Sequence, residues 1–257
     1  MKLTIEVWRQ DSDEEFGRFE THEIEGAQEE MSLLELIDYL NDQLVSQGHE
    51  PIAYDSDCRE GICGTCGITV NDQPHGPVPN TPSCRQHLRS FKDGAHLRLE
   101  PLRSSAFPVI RDLVVDRQAM DRVIQAGGFV SFDAGTALDA DSMLIGHGKA
   151  EPALDFAACI GCGACIAACP NGAANLFAGG ILSHLSTLPH GQEERSKRAR
   201  AIASEADDSF GPCSVYGECA TVCPAGIPLS VVAAVNKEVA RAALRKGKDN
   251  EKRPSAY

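Results

Sequence analysis

Seven of the eleven cysteines in this chain form two halves of one repeated motif, and this repeat restricts the fold more than any other feature. The first half has the spacing Cys-x2-Cys-x2-Cys-x3-Cys-Pro, which is specific to iron-sulfur clusters. The second half repeats it, except that Tyr216 stands at the second cysteine position. Because the last cysteine of each such run ligates the cluster of the other half, the spacing predicts two crossed ligand sets. These are Cys159, Cys162, Cys165 and Cys223 for a [4Fe-4S] cluster, and Cys169, Cys213 and Cys219 for the second cluster.

Tyr216 stands where a fourth iron would need a thiolate. The simplest consequence is that its bulky side chain excludes that iron and leaves a [3Fe-4S] cluster. A tyrosinate ligand, as found in some haem proteins, is the alternative, but an ordinary tyrosine pKa of about 10 makes the phenolate costly. Because losing a thiolate removes negative charge near the cluster, we also expect this cluster to be the most easily reduced one in the chain.

The other four cysteines form a second kind of motif in the first hundred residues. The spacing Cys-x4-Cys-x2-Cys followed by a distant cysteine is the plant-type [2Fe-2S] arrangement, and three interspersed glycines allow a compact loop. A tetrahedral zinc site is the alternative, and the triplet spacing favours the iron-sulfur cluster. For the C-terminal repeat the Cys-Pro ending makes zinc a weaker alternative still. The predicted [2Fe-2S] ligands are Cys58, Cys63, Cys66 and Cys84.

Hydrophobic periodicity predicts short strands around one helix in the N-terminal part. Apolar residues alternate with polar ones near residues 3–7, 19–24 and 97–99. Ser32 and Glu35 form a capping box at the start of a helix that Gly48 ends. Proline and serine residues interrupt the chain after the last strand, so we place a domain boundary near residue 105.

The remainder of the chain has helical patterns. Residues 1–105 are thus predicted to be a plant-type [2Fe-2S] ferredoxin domain, and residues 106–257 a helical domain carrying the [4Fe-4S] and [3Fe-4S] clusters. The stretch 127–149, which includes Gly146-His147-Gly148, is expected to be loop, and the charged run 245–253 a solvated tail. Helices are predicted over residues 117–126, 173–185, 193–206 and 228–244.

Composition excludes several classes of function. The formal net charge of -13 disfavours nucleic acid as a partner. An odd cysteine count and the lack of a leader-like segment favour the cytosol over export. No run approaches the roughly 18 apolar residues of a spanning helix. Neither a G-x-G-x-x-G fingerprint nor a nucleophile-base pattern is present, so we expect no catalytic residues for substrate chemistry on this chain.

The cysteine motifs together resemble those of the iron-sulfur subunits of succinate dehydrogenase and fumarate reductase. The resemblance rests on the loop from Cys58 to Cys66, on the run from Cys159 to Pro170, and on the run from Cys213 to Pro224, and it covers nearly the whole chain. It implies an α+β chain: an N-terminal β-grasp plant-type ferredoxin domain and a C-terminal all-α bacterial-ferredoxin-like domain. It further implies an oxidoreductase component of a respiratory chain and of the tricarboxylic acid cycle.

The resemblance also implies partners. A flavoprotein that carries FAD and a membrane cytochrome b subunit with haem b are expected, with the chain peripheral on the cytoplasmic face of the cell membrane. Electrons would pass through the [2Fe-2S], [4Fe-4S] and [3Fe-4S] clusters to quinone, with Pro170 and Tyr216 near the quinone path or simply packing around the cluster. Alternatives are a soluble multi-cluster carrier, or the same electron path serving a different flavoprotein or terminal partner.

The chain departs from the ubiquinone-reducing members near the predicted [3Fe-4S] cluster. Those members have a tryptophan pair and a histidine where this chain has Ala173-Ala174 and Ser214. The resemblance is therefore greater to menaquinone-linked members.

Overall fold

The computed structural model describes residues 1–13, 15–131, 144–188 and 194–249, with side chains to residue 244. Of the run 245–253, predicted to be a charged tail, residues 245–249 continue the last helix, and residues 250–253 lie outside the described residues. The strands are β1 Leu3–Arg9, β2 Arg18–Ile24, β3 Ile68–Val70, β4 Gln73–Pro74, β5 Ala95–Pro101, β6 Val109–Arg111 and β7 Val114–Val115. The helices are α1 Leu33–Ser46, α2 Gln118–Val123, α3 His147–Ala157, α4 Ala164–Ala167, α5 Asn175–Thr187, α6 Arg195–Ser209, α7 Glu218–Thr221 and α8 Ser230–Asp249.

These elements fall into two compact units. The first unit contains residues 1–119 together with residues 160–172 and 216–226, and the second contains residues 120–159, 173–215 and 227–257. Two short cysteine-containing segments are therefore grouped with the N-terminal residues, although they are distant in sequence. The division of the sequence near residue 105 remains a prediction about domains along the chain.

The first unit is built on a mixed five-stranded sheet in the order β2-β1-β5-β3-β4. Strand β1 pairs antiparallel with β2 and parallel with β5. A parallel pair needs a long crossover connection, and α1 lies within it. Leu3, Ile5 and Val7 point into the core while the residues between them are half-buried, so the predicted alternation is confirmed.

Helix α1 covers this sheet with an apolar face. Its capping box is present as predicted: the backbone N–H of Glu35 donates to the Ser32 hydroxyl, and the backbone N–H of Ser32 donates to the Glu35 carboxylate. These bonds lower the pKa of Glu35. Six buried residues of α1 join the sheet in one core, namely Leu33, Leu34, Leu36, Ile37, Leu40 and Leu44.

Among its described residues, the second unit has helices as its only regular secondary structure. Helix α5 packs against α3, α6 and α8, and Gly179 permits close approach, because a Cβ atom there would lie 2.3 Å from the Val231 carbonyl oxygen. The predicted helices near residues 117–126, 173–185, 193–206 and 228–244 are all present. None of the helices in the described ranges combines the length and apolar character needed to cross a membrane.

One secondary-structure prediction was wrong. Within the expected loop 127–149, residues 132–143 lie outside the described residues, and residues 147–149 form the start of α3 instead. The segment begins with His147 and Gly148, which are weak helix formers, and it contains Pro152. Tertiary packing stabilises this helix. Ala153 is completely buried, and Nδ1 of His184 in α5 donates to the Ala153 carbonyl oxygen at 2.7 Å.

Candidate metal centres

The loop that contains Cys58, Cys63 and Cys66 connects α1 to β3. Arg59, Gly61 and Gly64 have positive φ angles of 54°, 79° and 74°. This backbone conformation favours glycine, and it turns the chain repeatedly within a few residues. A tight loop of this kind lets several amide groups face the sulfur atoms.

Polar groups of the loop contact the sulfur atoms directly. The backbone N–H of Glu60 donates to Cys58 Sγ at 3.3 Å, and Thr65 Oγ1 lies 3.2 Å from Cys63 Sγ. Hydrogen bonds to sulfur are one way in which a protein sets the reduction potential of an iron-sulfur cluster. The loop therefore has hydrogen-bond donors of the kind that tune such a cluster.

The four N-terminal sulfur atoms form two pairs. The Glu60 amide, helped by other loop amides and by the Cys63 thiol, lowers the pKa of Cys58 to about 6. A hydrogen bond between the Cys66 and Cys84 thiols lowers the pKa of Cys84 to about 7, whereas the same bond and burial raise the pKa of Cys66. Cys58 is thus paired with Cys63, and Cys66 with Cys84.

Two sulfur pairs fit a cluster of two irons, in which each iron takes two protein ligands. Zinc would instead need four ligands around one ion. All eleven cysteines are thiols rather than disulfides. The pairing favours the [2Fe-2S] alternative over zinc.

An ion pair anchors the start of the loop to α1. Arg59 Nη1 lies 2.5 Å from Asp38 Oδ2, and the Tyr54 hydroxyl donates to the same carboxylate. The Arg59 guanidinium lowers the pKa of Asp38, and burial followed by the Asp38 carboxylate raises the pKa of Tyr54 to about 12. Arg59 directly follows Cys58, so this network fixes the backbone that carries a predicted ligand.

The two halves of the C-terminal motif have the same backbone conformation. A glycine with a left-handed φ precedes a four-residue helix in each: Gly163 at 85° before α4 and Gly217 at 94° before α7. The two helices pack against one another within the first unit. The repeat detected from cysteine spacing is therefore also a repeat of structure.

The repeat extends to the Cys-Pro turns. The N–H of Gly172 donates to the Cys169 carbonyl oxygen at 2.9 Å, and the N–H of Gly226 donates to the Cys223 carbonyl oxygen at 3.2 Å. Both glycines have a left-handed φ, 62° and 65° respectively. Each turn places its last cysteine in an equivalent position.

Tyr216 occupies the structural equivalent of Cys162, one residue before the left-handed glycine of its half. Its neighbour Val215 has a φ of 57° where the first half has Gly161 at 64°. A β-branched residue in this region is strained, so the second half keeps the motif's backbone at some cost. The Tyr216 side chain is 62% exposed.

Other predicted site residues are distributed between the units. Pro170 is exposed and lies in the first unit. Cys159 and Cys213 belong to the second unit. The assignment of the cysteines to particular clusters therefore remains a prediction. The C-terminal predicted ligands in the first unit are Cys162, Cys165, Cys169, Cys219 and Cys223.

Two polar residues near these loops were not singled out by the sequence. Arg117 Nη1 donates to the carbonyl oxygens of Gly64 and Cys162, at 2.6 and 3.3 Å. His75 is 1% exposed, and its Nδ1 accepts from the Ser83 backbone N–H at 3.2 Å, which leaves the proton on Nε2. Burial, followed by the charge of Arg117, lowers the pKa of His75 to about 4. No sequence motif marks either residue.

Two family models match the chain. A 2Fe-2S iron-sulfur cluster binding domain matches residues 4–122, and a 4Fe-4S dicluster domain matches residues 158–227. Both kinds of predicted cluster domain are thereby confirmed, in the predicted order.

Several relatives that match about three quarters of this chain are named iron-sulfur subunits. A fumarate reductase iron-sulfur subunit from Haemophilus influenzae is 31% identical over 209 residues, covering 75% of each chain. A succinate dehydrogenase iron-sulfur subunit from Bacillus subtilis is 29% identical and covers 76% of this chain and 75% of its own length. A component of the fumarate reductase (CoM/CoB) of Methanothermobacter marburgensis is 29% identical, and the match spans 77% of this chain but 36% of that protein.

A solved structure shares the fold. A chain of the Mycobacterium smegmatis Sdh1 complex in the apo form superposes with a TM-score of 0.69 and 22% sequence identity. The match covers 96% of this chain and 97% of that one. The fold of an N-terminal mixed sheet followed by helices is thus confirmed.

Proposed function

Because this chain belongs to the family of fumarate reductase and succinate dehydrogenase iron-sulfur subunits, we propose that it carries electrons between two other proteins of one complex. One is a flavoprotein with FAD, and the other is a membrane cytochrome b subunit that exchanges electrons with quinone. The chain would lie peripherally on the cytoplasmic face of the membrane.

The chain's own residues hold and tune the redox groups. Bound iron-sulfur clusters supply transfer of single electrons. Cys58, Cys63, Cys66 and Cys84 would hold the [2Fe-2S] cluster, and the amide of Glu60 would stabilise negative charge at Cys58. The structure supports this part of the proposal through the two sulfur pairs described above.

The assignment of the two C-terminal clusters rests on the position of Tyr216. The backbone of its half repeats that of the first half, so the position is built for a ligand that the residue does not provide as a thiolate. We assign Cys169, Cys213 and Cys219 to a [3Fe-4S] cluster. The [4Fe-4S] cluster takes Cys159, Cys162, Cys165 and Cys223.

Replacement of Tyr216 tests this assignment. The oxidised wild-type protein should show the electron paramagnetic resonance signal of a three-iron cluster. A Tyr216→Cys variant should lose that signal and bind about one additional iron per chain. Val215→Cys is the matched control, since it places a thiol one residue away and should leave the signal intact. A wild-type protein without the three-iron signal contradicts the assignment.

The proposal also concerns which quinone the complex uses. Ala173 and Ala174 are 4% and 1% exposed, so the positions where ubiquinone-reducing members have tryptophans are here small and packed. This favours a quinone pocket formed mostly by the membrane partner and a menaquinone-linked reaction. The purified complex should reduce or oxidise a menaquinone analogue faster than a ubiquinone analogue, and the opposite preference would contradict it.

One comparison favours a second candidate. The Methanothermobacter relative, named as part of a fumarate reductase (CoM/CoB), matches this chain over 36% of its own length. The same electron path could therefore end at a terminal partner that handles thiols. Identifying the co-purifying proteins distinguishes the candidates: a cytochrome supports the first, and a thiol-active protein supports the second.

A further inference from the structure

The predicted [2Fe-2S] loop and the first half of the C-terminal cysteine motif contact one another through backbone atoms. Gly64, which lies between the predicted ligands Cys63 and Cys66, has a φ of 74°. A Cβ atom at Gly64 would lie 2.2 Å from the Ile160 carbonyl oxygen and 3.0 Å from the Cys162 nitrogen. All of these residues belong to the first unit. The [2Fe-2S] loop therefore lies directly against the backbone that leads into the [4Fe-4S] motif.

Arg117 joins the two loops at this contact. Its Nη1 donates to the Gly64 carbonyl oxygen at 2.6 Å and to the Cys162 carbonyl oxygen at 3.3 Å. These partners are 53 and 45 residues away in sequence. A single guanidinium nitrogen thus spans two segments that each carry predicted cluster ligands.

The two hydrogen bonds of Arg117 do not neutralise its positive charge. Both of the carbonyl oxygens that accept from its guanidinium are neutral. Burial raises the pKa of Asp55, and the positive charge of Arg117 opposes this increase. A half-buried positive charge beside two cluster loops is screened less than a charge on the open surface.

We propose that Arg117 is a positioning residue for electron transfer between the [2Fe-2S] and [4Fe-4S] clusters. It holds the Gly64 and Cys162 loops together, and its charge favours the reduced state of both clusters, since reduction adds one negative charge to each. The inference rests on the proposed function. It adds a residue that is not a ligand to the electron path.

Arg117→Gln tests the electrostatic part. The variant keeps a hydrogen-bond donor and removes the charge. The assay is a redox titration of the full complex, followed by electron paramagnetic resonance. We expect the equilibrium constant for one-electron reduction of each cluster to fall about tenfold, which lowers its reduction potential by about 59 mV. The [3Fe-4S] potential should stay unchanged and serves as the internal reference.

Arg18→Gln is the matched control. Arg18 lies on β2 with its side chain 68% exposed and paired with Glu20, so its replacement removes the same charge at the surface. All three potentials should remain as in the wild type. Equal movement of all three potentials in Arg117→Gln, or no movement with full iron content, would overturn the proposal.

Arg117→Lys tests the positioning part and does not depend on the first variant. Lysine keeps the charge, but its side chain is one atom shorter, so its Nζ does not extend as far as the Nη1 that bonds both carbonyl oxygens. We expect near wild-type potentials together with a weaker magnetic interaction between the two reduced clusters, measured as slower spin relaxation. An unchanged interaction would refute the clamp, even if Arg117→Gln failed to retain its clusters.

Failure of this inference is distinguishable from failure of the proposed function. Iron and sulfide analysis of the wild-type protein decides whether the clusters exist. If the clusters are present and their reduction potentials do not change when Arg117 is replaced, the proposed role of Arg117 is wrong and the proposed function stands.

Discussion

Gly64→Ala is expected to destabilise the first unit by about 2–5 kcal/mol. A left-handed φ costs an L-residue about 1–2 kcal/mol, and Gly64 has a φ of 74°. The new Cβ atom would also lie 2.2 Å from the Ile160 carbonyl oxygen, which is backbone and must move as a whole. Forced displacements of this kind cost about 1–3 kcal/mol.

Gly94→Ala separates the two contributions. Gly94 has a φ of 78°, but a Cβ atom there meets nothing within 4 Å. The backbone penalty and the lost freedom of the unfolded chain are therefore nearly the same in both variants. The difference between them measures the collision with Ile160 alone.

The assay is the midpoint of thermal cluster loss, followed by visible absorption of the anaerobic holoprotein at one heating rate, since such unfolding is irreversible. At roughly 2–4 °C per kcal/mol, Gly64→Ala should melt about 2–12 °C below Gly94→Ala. Gly64→Ala should also retain less iron. Equal midpoints for the two variants would refute the inferred contact between the loops.

Two further predictions concern the core of the first unit. Ser32→Ala removes the hydroxyl that accepts from Glu35 at 3.3 Å and should lower stability by about 1 kcal/mol, seen as a lower urea midpoint; Ser46→Ala, at the far end of α1, should have less effect, and equal effects would contradict the capping argument. His75 has its pKa lowered from 6.5 to about 4, so its stabilising contribution is complete above pH 6.5. As pH falls from there towards 4, the unfolded state takes up the proton first, and up to about 3 kcal/mol is lost. His75→Asn should flatten that part of the pH dependence of the urea midpoint, and an unchanged slope would show that another group is responsible.

The sequence alone determined the features that are encoded locally. Ser32 and Glu35 are three residues apart, so their capping box forms within one helical turn and was predictable. The alternation in β1 reports which face of a strand is buried, because side chains alternate strictly along a strand. Cysteine spacing revealed the C-terminal repeat for the same reason: a short loop of defined length has few ways to present its sulfur atoms.

The tertiary structure alone decided which distant residues meet. Helix α3 forms despite Gly148 and Pro152, because Ala153 packs in the second unit. Arg117 bonds carbonyl oxygens 53 and 45 residues away, and the burial of His75 lowers its pKa through surroundings that no local pattern records. Contacts of this kind depend on how complete elements pack, and hydrophobic period and residue spacing carry no information about that packing.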